Sequence, residues 1–346
     1  MSASVWVLRS AGNMFSFRVR QRSLFVIATL GAIVACFALL FLTVGSYQLG
    51  LHGLWKALTL KADIYAQVVV FDVRLPRLLS AICVGALLAM SGAVFQSLFR
   101  NPLASPDILG FNAGAASGAL ASILFGGGTT YLVGSAIAGG LAAAALVLWL
   151  SWQNGLILNR MILMGLCVGF ALVALSDLLM SKLDIELASE AAKWLIGSLA
   201  SVSPAQMWLA IGATVVFFPA AWFLQMWLDA LQLDDDVATS LGLQLKALRL
   251  ANVILGVSMA AIGVAVAGPL PFVAFIGGPL AQRLLRTASY SMGASALLGA
   301  FIVLVSDFLS RNDYLFLHLP TGVFTAFIGA PYLIWHLKKQ SRGPLS

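Results

Sequence analysis

The chain has 346 residues, of which 61% are apolar and 10% are charged, and its net charge is +7. A soluble domain is about a quarter charged, so a chain with this little charge cannot cover a water-facing surface. The composition excludes a soluble protein and indicates a membrane protein in contact with lipid. The positive balance then reflects Lys and Arg on the cytoplasmic side, with no nucleic acid as a partner.

Apolar stretches long enough to cross a bilayer as helices recur along the whole chain. We expect ten spans, at residues 24–44, 78–98, 105–125, 130–150, 157–180, 206–228, 250–267, 271–286, 292–309 and 321–337. The fold class is therefore all-α. A single transmembrane domain covers 24–337, between a cytoplasmic N-terminal segment at 1–23 and a cytoplasmic tail at 338–346.

The Lys and Arg residues set the orientation of the spans. With the N-terminus inside, 13 of the 20 cations fall on the cytoplasmic side. The seven on the outer side are Lys56, Lys61, Arg74, Arg77, Lys182, Lys193 and Arg311. This favours N-in and C-in. It also places the two arginines of RLPR on the side where cations are not expected.

The spans are rich in small residues, as in GSAIAGGLAAAAL at 134–146. Lipid gives no hydrophobic drive for helix association, so close backbone approach through small residues holds such bundles together. Gly134, Ala138 and Gly139 are compatible with seams of this kind.

The chain lacks the motifs of several enzyme classes. It contains no GxxxxGK followed by Ser or Thr, no nucleophile elbow and no HExxH. We expect no ATPase site, no metal and no bound cofactor. Asp107, Asp177 and Asp307 lie near span ends, where we expect them to cap helices or face water. An ion-coupled carrier usually carries acids in mid-membrane, so uphill transport would draw its energy from another protein.

The one long cytoplasmic loop, at about 229–249, lies within LDALQLDDDVATSLGLQLKALRLANVILG. The acidic run at 234–236 suits a helix N-terminus. Val237, Leu241 and Leu245 recur at i, i+4 and i+8, which predicts one apolar stripe on a helix. The glycine in ATSLGL indicates a turn between two short helices. The stripe either lies against the membrane and the chain's own bundle or docks a soluble partner, and the pattern leaves both open.

One long motif carries a resemblance to a known family. RLPRLLSAICVGALLAMSGAVFQSLFRNPLASPDILGFNAGAASGA, which begins at Arg74, resembles the signature of FecCD-type permeases. Those proteins are the membrane subunits of type II ABC importers for ferric siderophores, haem and cobalamin. Further matches follow in family order: WLIGSLASVSPAQ at 194–206, DDDVATSLG at 234–242, AGPLPFVAFIG at 267–277 and LPTGVFTAFIGAPYLIWHL at 319–337.

The resemblance implies ten spans per subunit and a second permease subunit around a central path, with a heterodimer slightly preferred over a homodimer. It also implies a dimer of cytoplasmic ABC ATPases that use ATP-Mg, and a periplasmic or lipoprotein substrate-binding protein. The implied function is import of a ferric siderophore across the bacterial cytoplasmic (inner) membrane by alternating access. A catecholate-type siderophore is preferred. The alternatives are a cobalamin or haem permease and, from another class, an ion-coupled secondary transporter.

The resemblance also implies roles for particular residues. Those that pair with glutamates of the binding protein are Arg74, Arg77 and Arg311, although the same arginines could anchor the span at head groups. Those that match the cytoplasmic gate are Asn101, Leu103, Leu158 and Asn159, although NPL could be a helix-breaking turn alone. Those that match the ATPase-coupling helices are Asp234, Asp235, Asp236, Val237, Ala238, Leu241, Gly242, Leu245 and Lys246. One departure is Leu280, where many relatives carry His.

Overall fold

The computed structural model describes residues 5–9, 16–45, 47–153, 155–231, 235–311 and 319–340. The helices in this part of the chain are α1 (Gln21–Thr43), α2 (Gly50–Leu58), α3 (Ile64–Val68), α4 (Leu75–Leu98), α5 (Phe111–Leu124), α6 (Thr129–Leu150), α7 (Leu158–Met180), α8 (Ile185–Ile196), α9 (Pro204–Leu231), α10 (Asp235–Ser240), α11 (Leu245–Ala267), α12 (Val273–Leu285), α13 (Met292–Arg311) and α14 (Thr321–Gln340). Each predicted span falls on one of the longer helices.

Seven helical segments of the described chain are long and apolar enough to cross a membrane. Helices α5 and α12 are apolar but shorter. The chain is thus a helical, multi-pass membrane protein, while the number of ten crossings and the N-in, C-in orientation stay predictions. We call the end of the bundle that holds Arg100 the inner end and the end that holds Arg74 the outer end, following the predicted orientation.

The segment before α1 departs from the all-α expectation. Two short strands, β1 (Val5–Arg9) and β2 (Ser16–Arg20), form an antiparallel hairpin in which Val5 lies opposite Arg20. Polar and apolar residues alternate in SFRVR, which is a pattern that favours a β-strand. The composition of the whole chain does not reveal such a short local pattern. Short helices α2, α3 and α8 also lie in stretches that were expected to be loops.

Helix α4 is the centre of the bundle. It contacts α9, α11, α12 and α13, and every residue from Cys83 to Leu98 is buried. Small residues make this packing possible, because a Cβ added at Gly92 would overlap the carbonyl oxygen of Ala274 in α12. A Cβ added at Gly85 would overlap the backbone of Gly299 in α13, and a Cβ added at Gly299 would overlap the backbone of Gly85. Helix α4 therefore holds α12 and α13 at backbone contact distance.

A second seam joins α5 and α6. Added Cβ atoms at Gly114 and Gly139 would each meet the other's backbone, so Gly139 lies on a seam as expected. Gly134 has open space where its Cβ would be, and Ala138 is exposed, so these two face away from the chain's own bundle. The composition identified the helix as small-residue rich, but the face that packs depends on the neighbouring helix.

Helix α5 begins later than predicted. The chain makes a short 3₁₀ turn at Pro106–Leu109 and then passes through Gly110, whose φ is +64°, before α5 starts at Phe111. A glycine adopts that left-handed conformation at no steric cost. Residues 99–110 thus form a non-helical connection between the inner end of α4 and the start of α5.

Candidate functional site

A cavity of about 580 Å³ opens at the inner end of the bundle. It lies between the turn after α4, the start of α7 and the start of α10. Its lining residues are Leu98, Phe99, Arg100, Asn101, Ala104, Leu156, Ile157, Leu158, Asn159, Ile162, Asp235 and Arg249. The predicted gate residues form two pairs along the chain, Asn101 with Leu103 and Leu158 with Asn159. Asn101 of the first pair and both residues of the second pair line this cavity. Leu103 is not part of the lining.

The turn after α4, which we call the gate turn (residues 99–104), is held by its own hydrogen bonds. Pro102 lacks an N–H and stops the helix. The backbone N–H of Asn101 donates to the Gln96 carbonyl at 3.0 Å, and the Asn101 side-chain Oδ1 accepts from the Leu103 N–H at 2.9 Å. The Ala104 N–H donates back to the Asn101 carbonyl at 3.0 Å. NPL thus forms a defined turn in which Asn101 is the organising residue.

The second gate pair faces the gate turn from the first turn of α7. Helix α7 begins at Leu158, and Asn159 is exposed toward the cavity. Two amide side chains, Asn101 and Asn159, therefore border the same opening, among apolar neighbours such as Ile162. Such a lining offers polar contacts without fixed charge on either asparagine.

An ionic cluster forms the remaining wall of the cavity. Arg249 of α11 donates to Asp235 Oδ1 at 2.6 Å, and Arg100 donates to the same oxygen at 3.4 Å. Arg100 also donates from Nε and Nη2 to the Leu231 carbonyl, at the end of α9, at 3.3 and 3.1 Å. Asp235 is the first residue of α10, so this cluster connects the gate turn to α9, α10 and α11.

The turn predicted at Gly242 in the coupling loop is confirmed. Helix α10 ends at Ser240, Gly242 turns with φ +80°, and Leu245 already begins the long helix α11. This turn divides the apolar stripe, so Val237 and Leu241 lie on α10 and Leu245 lies on α11, which is a long helix and not the short one that we expected. Val237 and Leu241 are 51% and 65% exposed, so neither is covered by the chain's own bundle.

Other residues of this loop have more varied surroundings. Ala238 is buried, whereas Asp236 is exposed. The aliphatic part of Lys246 passes close to Gly155 in the loop before α7. Asp234 lies outside the described residues.

Two of the outer arginines hold the end of α1. The Arg74 guanidinium donates to the carbonyls of Leu42 and Tyr47, and Arg74 is 4% exposed. The Arg311 guanidinium donates to the carbonyls of Phe41 and Val44, the second at 2.6 Å. It also lies over the Phe41 ring, 3.8 Å from its centroid. These cations satisfy carbonyls that the last turn of a helix leaves without partners.

The third outer arginine forms a buried ion pair. Arg77 donates to both carboxylate oxygens of Asp307, from Nε at 2.6 Å and from Nη2 at 2.9 Å. Thr321 Oγ1 donates to the same carboxylate at 2.8 Å, and the Leu199 N–H donates to Thr321 Oγ1 at 3.4 Å. Asp307 is fully buried, so the expectation that it caps a helix or faces water is wrong. The network joins α4, α13 and α14 to the loop after α8.

The docking role of these arginines stays a prediction. In this conformation Arg74 presents little of its surface to a partner, and Arg77 and Arg311 are partly exposed. Each already has acceptors within the chain. An arginine has five N–H donors, so some of them stay available when others bind within the chain. A docking carboxylate would nevertheless compete with the internal contacts.

A second cavity, of about 470 Å³, lies between the start of α5, the loop before α12 and the start of α14. Asp107 and Asn112 supply its polar side chains, and Pro269, Pro271 and Phe272 supply much of the rest. Ser105 Oγ donates to Asp107 at 3.4 Å. Asp107 is exposed toward this space, which agrees with the expectation that it faces water rather than packing in the core.

Some of the connecting residues were not found from the sequence. Arg100 and Arg249 were counted only as cytoplasmic cations, and the pairing of Arg77 with Asp307 joins positions 230 residues apart. No local pattern marks such pairs. Leu280, the position where many relatives carry His, packs in an apolar cluster with Leu30 and Leu285.

The structure is a bundle of membrane-length helices with a cavity at its inner end, which is the architecture of a multi-pass membrane protein. Residues 29–339 match the FecCD transport family, and the chain belongs to that family. Both the long motif at Arg74 and the four later motifs fall inside the matched range. The resemblance noted from these motifs is thus confirmed.

Three similar proteins illustrate the relationship. The chain is 37% identical over 299 residues to the ferric enterobactin transport system permease protein FepG of Escherichia coli (strain K12), covering 86% of this chain and 91% of FepG. It is 34% identical over 303 residues to the achromobactin transport system permease protein CbrC of Dickeya dadantii (strain 3937), covering 86% and 87%. A solved structure described as an inward-facing conformation of a metal-chelate type ABC transporter matches with a TM-score of 0.82 and 31% identity, covering 91% and 99%.

Proposed function

We propose that this chain is the membrane-spanning permease subunit of an ATP-binding-cassette importer that moves a ferric siderophore into the cytoplasm. The observation that carries the proposal is the inner cavity, where the gate turn, the start of α7 and helix α10 meet. Its relatives include permeases of ferric enterobactin and achromobactin transport systems. A catecholate-type siderophore is the preferred cargo, and the bacterial cytoplasmic membrane is the proposed location.

The proposed mechanism is alternating access driven by a separate pair of ATPases. Helix α10 is the docking element, because Val237 and Leu241 present apolar surface that the chain itself leaves uncovered. The gate turn and the first turn of α7 form the inner gate. The cavity at the inner end is consistent with an inward-facing conformation, which is how the similar solved transporter is described.

The remaining partners belong to the same proposal. A second permease subunit, preferably a related but different chain, completes the path, and a substrate-binding protein delivers cargo at the outer end. Opposite charges across such a contact speed encounter and set orientation more than they add affinity. The chain itself binds no ATP. ATP-Mg is used by the ATPase subunits.

The test is iron uptake by cells with and without this gene. Radio-iron is supplied as catecholate, hydroxamate and carboxylate siderophores and as haem, with labelled cobalamin in parallel. We expect loss of catecholate-iron uptake and its restoration by the intact gene. Loss of haem or cobalamin uptake instead would show that the cargo is wrong. Uptake that persists in ATP-depleted cells but collapses with a proton uncoupler would support a secondary carrier.

A matched pair of substitutions tests the ATPase contact. Val237→Asp places a charge on the exposed apolar surface of α10, whereas Thr239→Asp places the same charge two residues away on a different side of the helix. We expect the Val237 variant to lose both uptake and co-purification of the ATPase, and the Thr239 variant to keep both. Equal behaviour of the two variants would contradict docking through Val237.

A further inference from the structure

The gate turn and the docking helix α10 are joined by one carboxylate oxygen. Asp235 Oδ1 accepts from Arg249 at 2.6 Å and from Arg100 at 3.4 Å. Arg249 belongs to α11, and Arg100 directly precedes the gate residue Asn101 along the chain. A displacement of α10 can therefore reach the gate turn through the Asp235 side chain.

The backbone at Arg100 fits such a junction. Its φ is +53°, a left-handed conformation that residues other than glycine rarely adopt. The side chain is held at the same time by the Leu231 carbonyl, through Nε and Nη2. A guanidinium fork can serve two acceptors in fixed directions, whereas a lysine ammonium cannot reproduce that geometry. Arg100 thus orients the gate turn relative to the end of α9 and the start of α10.

The degree of exposure indicates what the ion pairs do. The side chains of Arg100 and Asp235 are 41% and 52% exposed, while that of Arg249 is 16% exposed. Ion pairs between exposed side chains add little to stability because water screens them. Removal of these pairs should therefore leave the fold intact, and the cluster can serve to position α10 against the gate turn.

We propose that Asp235, between Arg100 and Arg249, is the positioning residue that couples movement of α10 to the inner gate. This inference rests on the proposed function, because it assumes that an ATPase moves α10. In the resting state the ion pairs hold α10, α11 and the gate turn as one unit. When α10 is displaced, Asp235 pulls Arg100, and the neighbouring Asn101 moves with it.

The test uses the complete transporter in proteoliposomes, and it measures ferric-siderophore uptake and ATP hydrolysis in the same preparation. In Asp235→Asn we expect the ratio of cargo imported to ATP hydrolysed to fall about threefold or more, the size of effect typical of coupling substitutions. Asp235→Glu, which keeps the carboxylate, restores most of the ratio. Asp177→Asn is the matched control, because Asp177 is an exposed acid outside α10 and has no ion pair in the described part of the chain.

Two further outcomes make the inference refutable. Arg249→Gln combined with Asp235→Asn should lower the ratio no further than either substitution alone, because both break one connection. If Asp235→Asn does not assemble, Arg249→Gln alone carries the test. An unchanged ratio, additive losses, or an equal loss in Asp177→Asn would overturn the relay. A wild-type complex that hydrolyses ATP without importing any iron chelate would instead refute the proposed function.

Discussion

Removal of the buried Asp307 carboxylate tests what the outer arginines contribute to the fold. Asp307→Ala leaves the Arg77 guanidinium without its bidentate partner and Thr321 without its acceptor, at a site where Asp307 is fully buried. Loss of one partner of a buried pair costs about 3–5 kcal/mol. Arg77 keeps 14% exposure, so water offsets part of that cost, and we expect about 3 kcal/mol.

The assay is the temperature at which half of the detergent-solubilised protein remains monodisperse in size-exclusion chromatography. We expect a fall of about 6 °C for Asp307→Ala, since a long chain changes its melting temperature by about 2 °C per kcal/mol. Asp177→Ala is the matched control, because Asp177 is an exposed acid near the end of α7 without an ion pair in the described residues. Equal melting temperatures for both variants and wild type would refute the structural role of the Arg77–Asp307 pair.

Three further predictions follow from named contacts. Gly92→Ala drives a methyl group into the backbone of α12 and is expected to lower the free energy of unfolding by about 1–3 kcal/mol. Gly134→Ala meets open space and should change that free energy by less than about 0.5 kcal/mol. The melting temperatures of the two variants check both values. Asn101→Ala removes the oxygen that accepts from the Leu103 N–H in the gate turn, and it should raise the passive leak of cargo across proteoliposomes without ATP. Asn101→Asp keeps an acceptor oxygen and should leak less than the Ala variant. Equal leak in the two variants would contradict the role of this hydrogen bond. Arg74→Glu places a carboxylate against the carbonyls at the end of α1, so both the melting temperature and the stimulation of ATP hydrolysis by the binding protein should fall. The control is Lys61→Glu, which reverses an exposed cation at the outer end. A lower stimulation with an unchanged melting temperature would indicate that Arg74 acts in docking alone.

The outer arginines show how a correct observation can lead to an incomplete interpretation. Cations at the outer end are unexpected from the topology, and the sequence offered docking or head-group anchoring as reasons. The structure adds a third reason, since Arg74 and Arg311 bind carbonyls at the end of α1 and Arg77 pairs with Asp307. Helix α1 is otherwise largely exposed, so these bonds secure a helix with little packing of its own.

The turn after α4 was predictable because its markers are local, while its role as a gate stays a prediction. The Asn-Pro-Leu order stops α4 and builds the gate turn through contacts between residues at most a few positions apart. The second pair, Leu158 and Asn159, was placed by resemblance, and the structure brings it to the same cavity as Asn101. Leu103 was assigned with them but does not line the cavity, because its direction depends on how the turn folds.

The sequence by itself determined the membrane class, the approximate positions of the helices and the family, because hydropathy, proline and short motifs act along the chain over a few turns. Only the tertiary structure decided which glycines form seams, that Asp307 neutralises Arg77, and that Asp235 joins Arg100 to Arg249. Those contacts join residues in different elements of the fold, and their free energy depends on distance and burial. Neither quantity exists until the helices have packed.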